Sequence, residues 1–155
     1  MLFSEENYKF MYAALQEAEQ AYKEGEVPIG AVVVFKNKII GRGRNQVEKL
    51  KDSTAHAEII AMTSAMNTLN SKYLTDCDLY VTLEPCLMCV GAAINAKVRT
   101  IYFSAFEPKT GACGSIYNVA QEGKLNHTIK IYHGLFEKEA VDLMQSFFKI
   151  RRSYN

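Results

Sequence analysis

Apolar positions along this chain change period several times, and the changes outline helices alternating with strands. Near the N-terminus Tyr8, Met11, Leu15, Ala18 and Tyr22 recur at helical spacing. Ser4 is placed to cap that helix, Glu5 and Glu6 fall in its positive first turn, and Gly25 supplies a stop. The runs IGAVVVF (29–35) and KIIGRG (38–43) flank Lys36-Asn37 and predict an antiparallel hairpin. A polar loop over 45–54 comes next. The following helix is expected over about 55–69, started by Ser53 or Thr54, with Ile59, Ile60, Met62 and Met66 at its apolar positions. LYVTL (79–83) reads as a strand that runs into a third helix opened by Pro85, because a proline at the first helical position costs no hydrogen bond. TIYFSA (100–105) is another strand, followed by a Gly-rich loop (107–115), a short helical piece, a strand within 128–134 and a last helix over about 137–152. Helices that follow and separate strands in this way predict an α/β layered domain.

Length and composition change that picture only at its edges. The 155 residues make one domain, residues 1–155, with no repeat, linker or low-complexity tract to divide it. No apolar run approaches the ~20 residues that span a bilayer, and MLFSEENYKF lacks the basic flank and apolar core of a signal peptide. A cytoplasmic location is therefore expected. In that compartment the four cysteines read as thiols or metal ligands rather than disulfides. A formal net charge of +1 argues against indiscriminate polyanion binding and leaves room for a local basic patch.

The chemistry concentrates in two short motifs. Cys86 and Cys89, at i and i+3, lie on neighbouring sides of a helix's first turn, so both sulfurs can reach one metal. The positive end of that helix favours the thiolate form that binds metal. In TAHAEII, His56 and Glu58 stand at the start of another helix. On a regular helix, positions i and i+2 point roughly 200° apart, so these two converge only on a target off the helix's N-terminal end. A metal between two helix starts would then be held by His56, Cys86 and Cys89, with the fourth tetrahedral position open to water. Three protein ligands and an open position imply catalysis. The metal lowers the pKa of water towards ~7, and Glu58 is placed to take its proton as general acid/base.

HAE followed by PCLMC is the order H-x-E, then P-C-x-x-C, which resembles the zinc nucleobase deaminases. The likeness is wider. EVPIGAVVV, TAHAEI, LYVTLEPCLMCVGA, EPKTGACGS, NHTIKI and FFKIRR, in this order and spacing, resemble the bacterial tRNA-specific adenosine deaminases over most of the chain. That resemblance implies a three-layer α/β/α cytidine deaminase-like fold, with a mixed five-stranded sheet and helices on both faces. It also implies one Zn2+ per chain, a homodimer, and hydrolysis of the wobble adenosine of a tRNA anticodon stem-loop to inosine by water added at C6, Glu58 moving the protons. By the same resemblance Asn45 contacts the flipped nucleoside, Ile29 and Leu83 line its pocket, the backbone around Ala57 helps hold the base, and Glu107 meets the neighbouring nucleotides.

Three positions depart from the family's pattern. Glu107 stands where aspartate is usual, Gln46 where an arginine often follows the pocket asparagine, and Cys113 in place of the second alanine of GAAGS. An anticodon loop suits such an enzyme, since a single-stranded base leaves its stack more cheaply than a duplexed one. The C-terminal FFKIRR offers Phe147 and Phe148 for apolar or stacking contact, and Lys149, Arg151 and Arg152 for phosphates.

Plainer readings compete with these. An isolated C-x-x-C also serves structural zinc knuckles and redox pairs, but a closed site needs a fourth ligand, and Cys77, Cys113, His127 and His133 lack ligand-pair spacing. Asn45 also suits a turn. Phe147 and Phe148 suit the apolar side of an amphipathic helix, and the basic cluster suits a solvated one. Two rival functions remain: a free-base or nucleoside deaminase for guanine, cytosine or cytidine with the same zinc site, and a non-enzymatic zinc-stabilised RNA-binding module. Glu58 argues against the second, because a closed structural site needs no proton shuttle.

Overall fold

The computed structural model describes residues 2–153. Helix α1 (Glu5–Lys23) begins at a reciprocal cap: Ser4 Oγ accepts from Asn7 N (3.1 Å), and Asn7 Oδ1 accepts from Ser4 N (3.0 Å). Met11, Leu15 and Ala18 are buried as the spacing predicts, but the stripe is completed by Phe10 and Ala14. Tyr8 lies at its exposed margin. Strands β1 (Gly30–Phe35) and β2 (Lys38–Arg44) form the expected hairpin. Its two turn residues, Lys36 and Asn37, have φ of 48° and 63°, the left-handed pair whose twist matches that of the strands.

The polar loop hides a helical turn, α2 (Val47–Leu50), which ends at Lys51 in the left-handed region, φ 51°. The next helix, α3 (Ala57–Leu69), starts two residues later than expected, and His56 rather than Ser53 or Thr54 occupies its cap position. Asp52 explains the delay. Its Oδ1 accepts from both Thr54 N (2.8 Å) and Thr54 Oγ1 (2.7 Å), locking that hydroxyl into a turn of its own. Strand β3 (Cys77–Leu83) leads to α4 (Leu87–Asn95), for which Cys86 is the cap residue, so Pro85 sits just before the helix instead of opening it.

Strands β4 (Thr100–Ala105) and β5 (Lys130–His133) and helix α5 (Glu137–Ser153) complete the chain. The short helical piece expected after the Gly-rich loop does not form. Residues 106–129 run instead as turns with isolated bridges, Cys86 to Gly111 and Cys113 to Asn118.

The five strands make one mixed sheet in the order β2-β1-β3-β4-β5, antiparallel across β2, β1 and β3 and parallel across β3, β4 and β5. Alternation along β1 shows why it is buried on both faces. Ala31 and Val33 pack with α3 and α4, whereas Val32 and Val34 pack with α1. The three-layer α/β/α arrangement and the mixed sheet are thus as expected. Gly43 lets β2 approach α3 closely: a Cβ there would lie 2.3 Å from Ala57 O and 2.6 Å from Ala61 N. This contact fixes the start of α3, where His56 and Glu58 are carried.

Candidate metal centre and substrate-facing residues

Two helix starts face each other at the end of β3. His56 and Cys86, each a cap residue, keep extended backbones (φ −76°, ψ 151° and φ −76°, ψ 173°), so neither side chain obeys the angular spacing of the helix that follows it. That resolves the convergence problem posed by His56 and Glu58. His56 Nδ1 lies 3.6 Å from Cys86 Sγ and 3.6 Å from Cys89 Sγ, and the three donor atoms fall within 4.8 Å of one another.

These separations fit one tetrahedral zinc ion. Bonds of roughly 2.0–2.1 Å to nitrogen and 2.3 Å to sulfur at a tetrahedral angle place N and S about 3.6 Å apart. The protonation pattern agrees with the donor geometry. The adjacent Cys89 thiol pulls the Cys86 thiol down to about 4, with help from His56, while the Cys86 sulfur and burial push the Cys89 thiol up. Two sulfurs, one a thiolate and one a thiol, beside an imidazole offer a binding place for a soft divalent cation, which displaces the remaining proton and leaves both as thiolates. Hydrogen bonding to Cys86 also raises the His56 imidazole.

Glu58, 4% exposed, lies beside this group, and the charges of Cys86 and His56 bear on its carboxyl. Desolvation pushes its carboxyl up to about 7, the chief opposing cause being a hydrogen bond from its own backbone N–H. A carboxyl that gains and loses its proton near neutrality suits both halves of a proton shuttle. A separate concavity of about 750 Å³ between Asn7, Asp78, Tyr80 and Arg99 lies by the opposite end of β3 and holds none of these four residues.

The other residues named from the sequence fall into two groups. Ile29, Asn45, Ala57, Leu83 and Glu107 sit on segments next in sequence, or hydrogen-bonded, to the chain around His56 and Cys86: Ala57 follows His56, Leu83 ends the strand before Cys86, Gln46 N donates to Ala55 O, and Glu107 N donates to Glu84. Ile29 and Asn45 are tied together, since Asn45 N donates to Ile29 O (3.1 Å). Asn45 is 8% exposed; its Oδ1 accepts from Val47 N (3.1 Å), which orients the amide nitrogen as the group available to a ligand. Ala57 is fully buried at the first turn of α3, Leu83 is half-buried at the end of β3, and Glu107 is half-buried two residues beyond β4.

The second group lies on α5. Here the two phenylalanines separate: Phe147 is buried against Tyr22, ring centroids 6.1 Å apart, while Phe148 is 42% exposed. Arg151 is already engaged, donating to Gly25 O (2.6 Å) with its guanidinium 4.8 Å from the Phe147 ring centroid. Arg152 is exposed.

Two buried acids escaped the sequence reading. Glu26 accepts from Glu48 N (3.0 Å) and Lys49 N (2.8 Å), tying down the turn that follows Asn45. Glu84, between β3 and Cys86, accepts hydrogen bonds from Glu107, Cys113 and Ser115. A carboxylate directly beside a metal-ligand motif was the available signal for Glu84. Nothing local marks Glu26.

Comparison with known proteins adds to this geometry. Residues 4–105 match the model of the cytidine and deoxycytidylate deaminase zinc-binding region. A tRNA-specific adenosine deaminase of Aquifex aeolicus (strain VF5) is 45% identical over 144 residues, covering 93% of this chain and 95% of the relative. One from Bacillus subtilis (strain 168) is 41% identical over 140 residues, covering 90% and 87%. Among solved structures, one from work on A-to-I editing by tRNA:A34 deaminases at the wobble position of transfer RNA superposes with a TM-score of 0.84 at 41% identity, over 87% of this chain and 98% of that one. A guanine deaminase from Nitrosomonas europaea gives 0.75 at 26% identity, over 95% and 86%.

Proposed function

The chain belongs to the zinc-binding cytidine and deoxycytidylate deaminase family, and we propose that within it this protein hydrolyses the wobble adenosine of a tRNA anticodon loop to inosine. One juxtaposition carries the reading: a zinc-spaced His56, Cys86 and Cys89 beside buried Glu58, in a chain 45% identical to a tRNA-specific adenosine deaminase. Zinc, one ion per chain held by those three side chains, supplies a Lewis acid that makes water a competent nucleophile near neutral pH.

The protein's residues do the rest. Glu58 takes a proton from the attacking water and delivers it to N1 as the oxygen adds at C6. It then moves the second proton to the amino group, the C6–N bond breaks, and ammonia leaves. Adenosine and water become inosine and ammonia with nothing left over. The Asn45 amide and the backbone at Ala57 orient the base, with Ile29 and Leu83 enclosing it. Glu107 meets the neighbouring nucleotide. Phe148 and Arg152, with Arg151 behind them, meet the anticodon stem-loop.

The same reading carries a homodimer and a cytoplasmic location. Among the described residues no helix is long and apolar enough to cross a membrane. Light scattering tests the dimer against the 17.5 kDa of one chain.

The deciding experiment gives zinc-loaded protein an anticodon stem-loop bearing a wobble adenosine and, separately, free adenosine, guanine, cytosine and cytidine. Guanine is included because a guanine deaminase shares the fold. Inosine only in the stem-loop is expected. Turnover only of a free base or nucleoside would reject the tRNA substrate and keep the zinc chemistry, and no turnover with stem-loop binding would leave an RNA-binding module.

A further inference from the structure

Glu84 is 3% exposed, yet no lysine or arginine pairs with it among the described residues. Its carboxylate is satisfied by one loop instead. Oε1 accepts from Glu107 N (3.0 Å) and Ser115 Oγ, and Oε2 accepts from Cys113 N (2.9 Å) and Ser115 N (3.0 Å). Gly111 lies over the same group, so close that a Cβ would come within 2.2–2.4 Å of the carboxylate atoms. The chain on either side of Glu84 is also bonded: Glu84 N donates to Ala105 O (2.8 Å), and Pro85 O accepts from Ala112 N (2.9 Å).

Charge-assisted bonds to a buried carboxylate are among the stronger contacts a loop can make. Here they join three points of a turn-rich segment to the residue two positions before Cys86. The loop contains no helix and no strand of the sheet; besides the Glu84 bonds it is held by the bridges of Cys86 to Gly111 and Cys113 to Asn118 and by the burial of Ala112 and Cys113. Its first anchored amide belongs to Glu107.

We propose that Glu84 is a positioning residue: it clamps the loop over 107–115 in register with the metal centre, and so sets the selectivity of the enzyme for the nucleotide beside the target base. The selectivity half rests on the tRNA reading given above; the clamp itself does not. Glu84→Gln keeps the shape but replaces one acceptor oxygen with an NH2 group that faces donors. Ser115→Ala removes the hydroxyl bond alone and spares the buried carboxylate.

The test measures three quantities on zinc-loaded wild type and both variants. Zinc content should stay at one ion per chain. Hydrogen exchange at the Glu107, Cys113 and Ser115 amides should quicken by about tenfold or more in Glu84→Gln and by less in Ser115→Ala, following the number of bonds lost. The ratio of kcat/KM between stem-loops differing only in the nucleotide 5′ of the adenosine should move towards one. Unchanged exchange in both variants overturns the clamp. Faster exchange with unchanged selectivity overturns the positioning role. If Glu84→Gln does not fold, Ser115→Ala decides both points. Wild type that makes no inosine in any stem-loop refutes the substrate reading and the selectivity claim with it, while the exchange data still uphold or overturn the clamp.

Discussion

Glu58→Gln should do two opposite things, and the structure sizes one of them. Burial pushes the Glu58 carboxyl from an ordinary 4.5 up to about 7. Below about pH 4.5 it is protonated in folded and unfolded chains alike, and its contribution to stability is whole. As pH rises the unfolded chain ionises first, so stability is lost through the interval up to 7 and is constant above it. An interval of about 2.5 pH units at roughly 1.4 kcal/mol each gives about 3 kcal/mol, an upper figure because the charges of Cys86 and His56 titrate with it. The depressed Cys86 thiol acts in the other direction, its stabilisation growing as pH rises from about 4, but it is present in both proteins and largely cancels in their difference. Urea unfolding of chelator-treated wild type and Glu58→Gln from pH 4.5 to 8.5 should therefore show the variant gaining on wild type as pH rises, by about 3 kcal/mol at most. In the zinc-loaded enzyme the same change should lower the rate by at least ~10²-fold. A stability difference that does not vary between pH 4.5 and 8.5 would refute the desolvation argument, and retained activity would refute the shuttle.

His56→Ala and Cys86→Ser should each lose most bound zinc and all deaminase activity, as elemental analysis and inosine release would register; full zinc retention would mean a different donor set. Gly43→Ala should cost about 1–3 kcal/mol, the usual penalty of overpacking, because its Cβ meets the backbone of α3 at Ala57. It should also weaken zinc binding in a chelator competition, and wild-type values for both would show that α3 yields freely. Arg152→Ala should lower the slope of log affinity against log salt for a stem-loop by roughly 0.7, one single-strand phosphate contact. Arg151→Ala should instead destabilise the fold by about 1 kcal/mol through loss of its bond to Gly25 O. Equal salt effects from the two arginines would refute this division of roles.

The sequence exposed whatever depended on periodicity or residue identity. The hairpin, the five strands and the long helices follow from spacing, and the donor set follows from two motifs. Element starts were less legible. Whether a helix begins at Ala55 or Ala57 is decided by Asp52 capturing Thr54, a contact between side chain and turn that competes with helix capping. The short helical piece expected after the Gly-rich loop gives way to turns because its amides run back to that loop: Ile116 N and Tyr117 N donate to Gly111 O, and Val119 N donates to Ala112 O. Phe147 and Phe148 are chemically identical neighbours, and only the packing of α5 on Tyr22 separates the buried one from the exposed one.

The three departures from the family pattern can be weighed by what each side chain touches. Cys113 is buried, and burial pushes its thiol up to about 12, so it packs as a small apolar group while its backbone N–H serves Glu84. The change from alanine therefore faces the protein. Gln46 donates its backbone N–H to Ala55 O (3.0 Å), a bond that an arginine at the same place would make equally well. What differs is only the reach and charge of its side chain. Glu107 accepts from Lys109 N (2.9 Å) through Oε1. Aspartate makes the same bond two residues on as an ordinary turn device, so the longer side chain preserves the turn and moves only the second oxygen. Of the three, only Gln46 and Glu107 have side chains that the proposed reading leaves to alter a contact to RNA. On the proposed reading the three departures leave the zinc chemistry in place, and any difference from the relatives falls on the nucleotides accepted on either side of the target. Gln46→Arg and Glu107→Asp should then shift the ratio of kcat/KM among stem-loops of different flanking sequence while leaving zinc content at one ion per chain; a loss of zinc in either would place these residues closer to the metal than their hydrogen bonds allow.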